Sequence, residues 1–216
     1  MPLIRSVFQD ELDGVSQSLF DLSVMVSDSM SKATRAIVEK NLPLAEEVIT
    51  FDEKIDTVQH ELDARIIDII ARQQPVASDL RALVTALRMS ADLERMGDLA
   101  HHVAKVVRLR HPASAVPKEL LDLVQTMGET AEKIATKTGV VISTRDTTLA
   151  AQVEKDDDEM DELHRKLIST LVEPSWPHGV ETAIDLTLLG RYYERYADHA
   201  VSVSRRVIFL VTGKFA

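Results

Sequence analysis

The sequence contains no cysteine, so disulfides and thiolate metal sites are both excluded. Glycine and proline are scarce, with 7 of each among 216 residues, and aromatic residues make up only 4%. A fold with many short strands needs more turn residues and more aromatic side chains, so this composition favours long helices with aliphatic interiors. No run of about 18 apolar residues occurs, and no transmembrane helix is predicted.

Basic side chains are the minority among the charged residues, with 25 Lys and Arg against 35 Asp and Glu, and the net charge is -10. Such a surface repels phosphate groups, which disfavours binding to nucleic acids and to anionic membranes. Cations and basic protein surfaces are better partners. The N-terminal stretch, Met1 to Asp10, lacks the long apolar segment of a signal peptide, so we expect a cytoplasmic protein.

Apolar residues recur at steps of three and four through most of the chain, which is the period of an amphipathic α-helix. The pattern predicts six long helices. The seam of the first predicted helix consists of Phe8, Leu12, Val15, Leu19, Leu22, Val26, Met30, Ala33 and Ile37.

The breaks between the predicted helices carry capping residues and prolines. Asn41 and Asp146 are predicted to cap the second and the fifth helix, because their side chains can accept hydrogen bonds from free backbone N–H groups. The proline-containing stretch 111–117 is the best candidate boundary. It divides the chain into two predicted domains, residues 1–112 and residues 113–216.

The two halves form an internal repeat. The stretch Glu94-Arg95-Met96-Gly97-Asp98 matches Glu194-Arg195-Tyr196-Ala197-Asp198 at an offset of about 100 residues, and the surrounding apolar positions match as well. We therefore predict an all-α fold of two tandem antiparallel three-helix bundles. Because two bundles side by side bury more apolar surface than one, we expect them to pack together.

Pairs of carboxylates follow the apolar seams. Glu94 and Asp98 are four residues apart, point to one helix face, and continue a stripe that contains Leu80 and Leu87. In an antiparallel bundle the second and third helices of each half can bring such pairs face to face. Close like charges raise each other's pKa unless a cation lies between them, and oxygen ligands suit magnesium, manganese, calcium or iron. The candidate metal ligands are Asp52, Asp56, Glu94, Asp98, Asp157, Asp161, Glu194 and Asp198.

A different interpretation is that these acids are solvated surface residues in salt bridges with Arg95 and Arg195. Three histidines, His60, His101 and His164, could each join a cluster. The Glu-x-x-His string of ferritin-like di-iron enzymes is absent, which counts against oxygen activation. There is also no glycine-rich phosphate loop and no nucleophile elbow, so we do not predict an enzyme.

Several longer strings resemble the PhoU family, and the resemblance covers essentially the whole chain. The strings that carry it are Arg72-Gln73-Gln74-Pro75-Val76-Ala77-Ser78-Asp79-Leu80-Arg81, Asp92-Leu93-Glu94-Arg95-Met96-Gly97-Asp98, Tyr193-Glu194-Arg195-Tyr196-Ala197-Asp198 and, as in the actinobacterial branch, Trp176-Pro177-His178-Gly179. The sequence departs from the family at Tyr196-Ala197, where an aliphatic residue and glycine are usual.

This resemblance implies a cytoplasmic negative regulator of the phosphate regulon, often a homodimer, that links the ATPase of a phosphate ABC transporter to a sensor histidine kinase. It also implies clusters of iron, zinc, manganese or magnesium, held by an E(D)-x-x-x-D pattern that falls on the eight acids named above. Two alternatives stay open: a metal-free helical scaffold that acts by protein contacts, and a metal-dependent phosphohydrolase.

Overall fold

The structure, a computed structural model, describes residues 2–214, and the side chains of residues 7–214. Within these limits it contains six long helices and no strand, as the sequence predicts. The predicted domains, residues 1–112 and 113–216, also include residues 1, 215 and 216, which lie outside the described residues. The helices are α1 (Pro2–Glu39), α2 (Leu42–Gln73), α3 (Ala77–Arg110), α4 (Leu121–Thr144), α5 (Thr147–Leu171) and α6 (Gly179–Thr212), with one 3-10 turn at Lys118–Leu120 before α4.

Both predicted helix caps are confirmed. The side chain of Asn41 accepts a hydrogen bond from the backbone N–H of Leu44 at 3.1 Å, at the start of α2. The Oδ1 atom of Asp146 accepts from the backbone N–H groups of Thr148 and Leu149, at 2.8 and 3.0 Å. These bonds satisfy donors that the first turn of a helix leaves free, and they fix where α2 and α5 begin.

Helices α1, α3, α4 and α6 form the centre of the molecule. Each half is a three-helix bundle, α1 to α3 and α4 to α6, and the halves meet where α1 packs on α4 and α3 packs on α6. Helix α2 contacts only α1 and α3, and α5 contacts only α4 and α6, among the helices that the structure describes. The second helix of each bundle therefore lies on the outside, with one side facing the third helix of its own half.

Buried aliphatic side chains form one core that runs through both halves. Positions that the repeat pairs with each other are buried alike, which is why both halves adopt the same packing. These pairs are Leu93 and Tyr193, Met96 and Tyr196, Ala100 and Ala200, Val103 and Val203, and Val107 and Val207. None of the six helices, as far as they are described, is long and apolar enough to cross a membrane.

Candidate metal centres

The first cluster of carboxylates lies between α2 and α3. Asp52 on α2 is buried, and Glu94 and Asp98 on α3 are partly buried. Burial raises the pKa of Glu94, and the negative charge of Asp98 raises it further. Burial also raises the pKa of Asp56, and the negative charges of Asp52 and Asp98 raise it further. The two acidic pairs predicted from the sequence therefore share one groove and repel each other across it.

The groove is narrow because Gly97 lies between the two acids of α3. A Cβ atom at Gly97 would lie 3.1 Å from two side-chain carbons of Ile55 and 3.5 Å from Oδ1 of Asp52. The missing side chain lets α2 approach α3 closely at this level. As a result, the Asp52 carboxylate reaches the backbone of α3 between Glu94 and Asp98.

Two polar atoms in this groove are buried without a hydrogen-bond partner among the described residues. One is Oδ1 of Asp52, and the other is Nε2 of His101. The remaining polar atoms of this pair bond to each other, since Nδ1 of His101 contacts Oδ2 of Asp52. Buried polar atoms are nearly always paired in proteins. A bound cation would give a partner to the unpartnered oxygen of Asp52 and, in a neutral ring, to Nε2 of His101.

The second cluster lies between α5 and α6. Burial raises the pKa of Asp157 to about 6, and the charges of Asp161, Asp198 and Glu194 add to this. Burial and then the charge of Asp198 raise the pKa of Glu194, while Arg191 acts in the opposite direction. Oδ1 of Asp157 is buried without a partner among the described residues. Asp161 and Asp198 are exposed, so this cluster is more open than the first.

Arginine side chains offset part of the negative charge, as the salt-bridge interpretation anticipates for Arg95. Its Nη1 atom lies 2.5 Å from Oδ2 of Asp98. In the second half Arg191, rather than Arg195, pairs with Glu194, at 2.5 Å. Both guanidinium groups are more than half exposed, so these ion pairs contribute little to the stability of the protein and are easily broken.

The donors are close together but do not surround a single point. No group of three or more His, Asp or Glu residues in the described part of the chain is arranged as ligands of one ion. The side chains of Asp161 and Asp198 are exposed, and that of Asp98 is partly buried. The donor types fit a hard divalent or ferric ion, since carboxylate oxygens dominate both clusters.

A third polar network, which no pattern in the sequence indicates, joins the two halves. Asp92 on α3 accepts hydrogen bonds from Oγ of Ser202 and Nε of Arg206 on α6, each at 2.9 Å, and its Oδ1 atom lies 3.0 Å from Nδ1 of His199. Burial alone would raise the pKa of Asp92, but the bonds from His199, Arg206 and Ser202 outweigh it and lower that pKa. The partners are more than 100 residues apart in sequence, and no local pattern connects them.

A repeat of two three-helix bundles, each with a carboxylate cluster between its second and third helices, defines the class of this protein. The family model described as the PhoU domain matches residues 19–107 and again residues 124–207, and the chain therefore belongs to the PhoU family. The boundary placed between residues 112 and 113 falls between these two matches, but its position stays a prediction.

Relatives match along nearly the whole chain. The chain is 43% identical over 212 residues to the phosphate-specific transport system accessory protein PhoU homolog 2 of Mycobacterium tuberculosis, covering 98% of this chain and 100% of the relative. It is 44% identical to PhoU homolog 1 of Mycobacterium leprae, covering 98% and 96%.

Two crystal structures share the fold. PhoU from Pseudomonas aeruginosa superposes with a TM-score of 0.86 at 27% identity, covering 96% of this chain and 100% of that one. The phosphate transport system regulatory protein PhoU from Streptococcus pneumoniae also gives 0.86, at 24% identity over 97% and 99% of the two chains, and supports the fold alone.

Proposed function

We propose that this protein is an accessory regulator of phosphate uptake. The observation that carries the proposal is the full-length similarity to two mycobacterial accessory proteins of the phosphate-specific transport system, at 43% and 44% identity. Similarity at this level, over 96 to 100% of each chain, favours a shared role rather than a shared fold alone. We propose a regulatory and not a catalytic role, because these relatives are accessory proteins of a transport system.

The proposed role is that of an adaptor in the cytoplasm. It represses the phosphate regulon when phosphate is plentiful, by linking the ATPase of a phosphate ABC transporter to a sensor histidine kinase. The acidic surface, with a net charge of -10, suits contacts with basic protein surfaces and not with nucleic acid. We further propose that it acts as a homodimer, as the family resemblance implies.

The proposed adaptor carries metal ions in both clusters. Asp52, Asp56, Glu94 and Asp98 would hold ions in the first cluster, and the matching acids of the second half would hold them in the other. Iron, zinc, manganese or magnesium would supply positive charge that offsets the repulsion between the carboxylates. The three orphaned atoms, Oδ1 of Asp52, Nε2 of His101 and Oδ1 of Asp157, support this proposal.

Deleting the gene tests the regulatory role. We expect expression of the phosphate regulon to rise in phosphate-rich medium, and the wild-type gene to restore repression. Unchanged expression in the deletion strain would reject the role.

Complementation with variants then separates the candidate functions. Asp98→Ala should fail to repress, whereas Glu53→Gln, which changes an exposed acid next to Asp52, should repress normally. If the purified Asp98→Ala protein lacks metal but still represses, the metal-free scaffold is the better account. If the wild-type protein hydrolyses phosphoesters or polyphosphate with added metal, and Asp98→Ala does not, the phosphohydrolase replaces the adaptor.

A further inference from the structure

Histidines lie at opposite ends of the two carboxylate clusters. In the first half, His101 on α3 pairs with Asp52. In the second half, Val201 occupies the position that the repeat offset assigns to His101, and it is buried among apolar residues. There the histidine is His164 on α5, whose ring lies 3.0 Å from the position of a Cβ atom at Gly190 and whose charge acts on Glu194. The two clusters are therefore not chemical copies of each other.

The contact between His101 and Asp52 determines which ring nitrogen is free. Nδ1 contacts Oδ2 of Asp52, and a carboxylate oxygen accepts, so Nδ1 carries the proton of this bond. In the neutral ring the lone pair is then on Nε2. The His101 side chain is 18% exposed, and Nε2 itself is buried without a hydrogen-bond partner among the described residues. A histidine whose only role was to pair with Asp52 would place its second nitrogen in solvent or against a donor.

His101 lies beside the carboxylates of the first cluster. His101 follows Asp98 by three residues on the same face of α3, and it lies close enough to Asp56 to affect the pKa of that carboxyl group across the groove. Asp52 is 7% exposed, and its unpartnered Oδ1 atom faces the backbone of α3 at Gly97. A carboxylate that orients an imidazole through Nδ1 and leaves Nε2 for the metal is a recurrent arrangement in metal sites.

We infer that Nε2 of His101 is a nitrogen ligand of the metal centre between α2 and α3, oriented by Asp52. This rests on the proposed metal-binding function and goes beyond the carboxylate pattern of the family. The first centre is then a mixed nitrogen and oxygen site. Since imidazole suits zinc and iron while magnesium and calcium prefer oxygen, the first centre selects a transition metal or zinc over magnesium.

Pulsed EPR on bound Mn²⁺ tests the inference, because it detects nitrogen coupled to the metal. The full chain carries Asp157→Asn and Glu194→Gln to remove the second site, and its histidines are labelled with ¹⁵N. We expect a histidine ¹⁵N coupling in this protein. A bound Mn²⁺ without any histidine coupling would overturn the inference while leaving the proposed carboxylate centre intact. Absence of any stoichiometric Mn²⁺ or Zn²⁺ in the unmutated chain would overturn the metal-binding proposal itself.

A neighbouring histidine provides the matched control. His102 stacks on Tyr192 with ring centroids 5.2 Å apart and pairs with no acid among the described residues. We expect His101→Gln to lose the ¹⁵N coupling and to weaken Zn²⁺ binding by about 10- to 100-fold, with Mg²⁺ binding changed less. His102→Gln should retain both the coupling and the affinity. Equal effects of the two substitutions on coupling and affinity would contradict the assignment, and circular dichroism on both variants checks that they fold.

Discussion

The hydroxyl group of Tyr196 in α6 donates a hydrogen bond to the backbone carbonyl oxygen of Val26 in α1, at 3.0 Å. Both residues are fully buried, and they belong to different halves of the repeat. Tyr193, one turn earlier, makes a similar contact with Thr34 of α1, with 2.9 Å between the two hydroxyl oxygens. In the first half the corresponding residues are Met96 and Leu93, so these bonds exist only where the second bundle reaches into the first.

Removing the Tyr196 hydroxyl should weaken the contact between the halves. Tyr196→Phe should lower the free energy of unfolding by about 1 kcal/mol, the usual net contribution of a buried hydrogen bond. Tyr192→Phe is the control, because that partly exposed tyrosine stacks on His102 and its hydroxyl bonds to no described residue. Urea denaturation measures the free energy of unfolding of both variants. Equal stability of the two variants would contradict the role of the Val26 contact.

A glycine in α4 permits the close approach of α4 to α1. A Cβ atom at Gly128 would lie 2.1 Å from Cγ2 of Thr34, and Thr34 is buried and bonded to Tyr193. Because this β-branched side chain has no room to move, Gly128→Ala should destabilise the protein by roughly 1–3 kcal/mol despite the better helix propensity of alanine.

Another glycine supplies the matched comparison. At Gly14 a Cβ atom would meet only the guanidinium end of Arg65, which can swing away. Gly14→Ala should therefore leave stability unchanged or raise it by up to about 1 kcal/mol. If thermal unfolding shows the same loss for Gly14→Ala and Gly128→Ala, close helix packing is not what requires glycine in α4.

An ion pair between a partly exposed arginine and a buried carboxylate connects the end of α3 to the start of α6. Arg110 donates to both carboxylate oxygens of Asp185, at 2.5 and 3.0 Å, and Asp185 is buried. Arg110→Ala leaves that buried carboxylate without its cation, so it should clearly lower the stability of the protein. Arg72→Ala removes a half-exposed arginine from pairs with Glu11 and Asp68 and should have a much smaller effect. Comparable losses for both variants would show that the seam between α3 and α6 does not depend on this pair.

The raised pKa of Asp157 predicts how stability depends on pH in the metal-free protein. Its pKa is about 6 in the folded state, above the ordinary value of 3.8, so folding favours the protonated carboxyl. The stabilisation is complete below pH of about 4 and is lost as pH rises through about 6. This difference in pKa corresponds to about 3 kcal/mol in the free energy of unfolding. Because Asp157 is half-exposed, solvent screening reduces the effect to about 1 kcal/mol.

Two comparisons isolate this effect. Asp157→Asn should remove most of the loss between pH 4 and 6, because asparagine stays neutral. Added Zn²⁺ should reverse the loss in the wild-type protein at pH 7, since the cation stabilises the ionised carboxylates. Thermal melts across this pH range measure both effects. If the stability of the wild-type protein rose from pH 4 to 6 by the same amount as that of Asp157→Asn, the prediction would be refuted.

Local patterns in the sequence predict the helices and the repeat, since apolar periodicity and capping residues act within a few positions. The caps at Asn41 and Asp146 and the matched burial of Leu93 and Tyr193 follow from such patterns. The facing of the acidic pairs also follows, because antiparallel second and third helices bring i, i+4 pairs to one groove.

Contacts between distant helices could not be predicted in the same way. The network around Asp92 and the pair of Arg110 with Asp185 depend on the rotation and register of α3 against α6, which no local pattern determines. For the same reason the spacing of Asp161 and Asp198 did not reveal that both are exposed while Asp157 is half-buried. The unpartnered Nε2 atom of His101 likewise became evident only once α2 and α3 were placed together.

Metal stoichiometry tests the central claim most directly. Elemental analysis is performed on the full chain after loading with Zn²⁺ or Fe²⁺ and removal of free metal, for the wild type, Asp56→Asn with Glu94→Gln, and Asp157→Asn with Glu194→Gln. We predict stoichiometric metal in the wild type, with each double variant losing the metal of one cluster and retaining that of the other. A wild-type protein without bound metal, or double variants that bind as much as the wild type, would contradict the assignment of these carboxylates as metal centres.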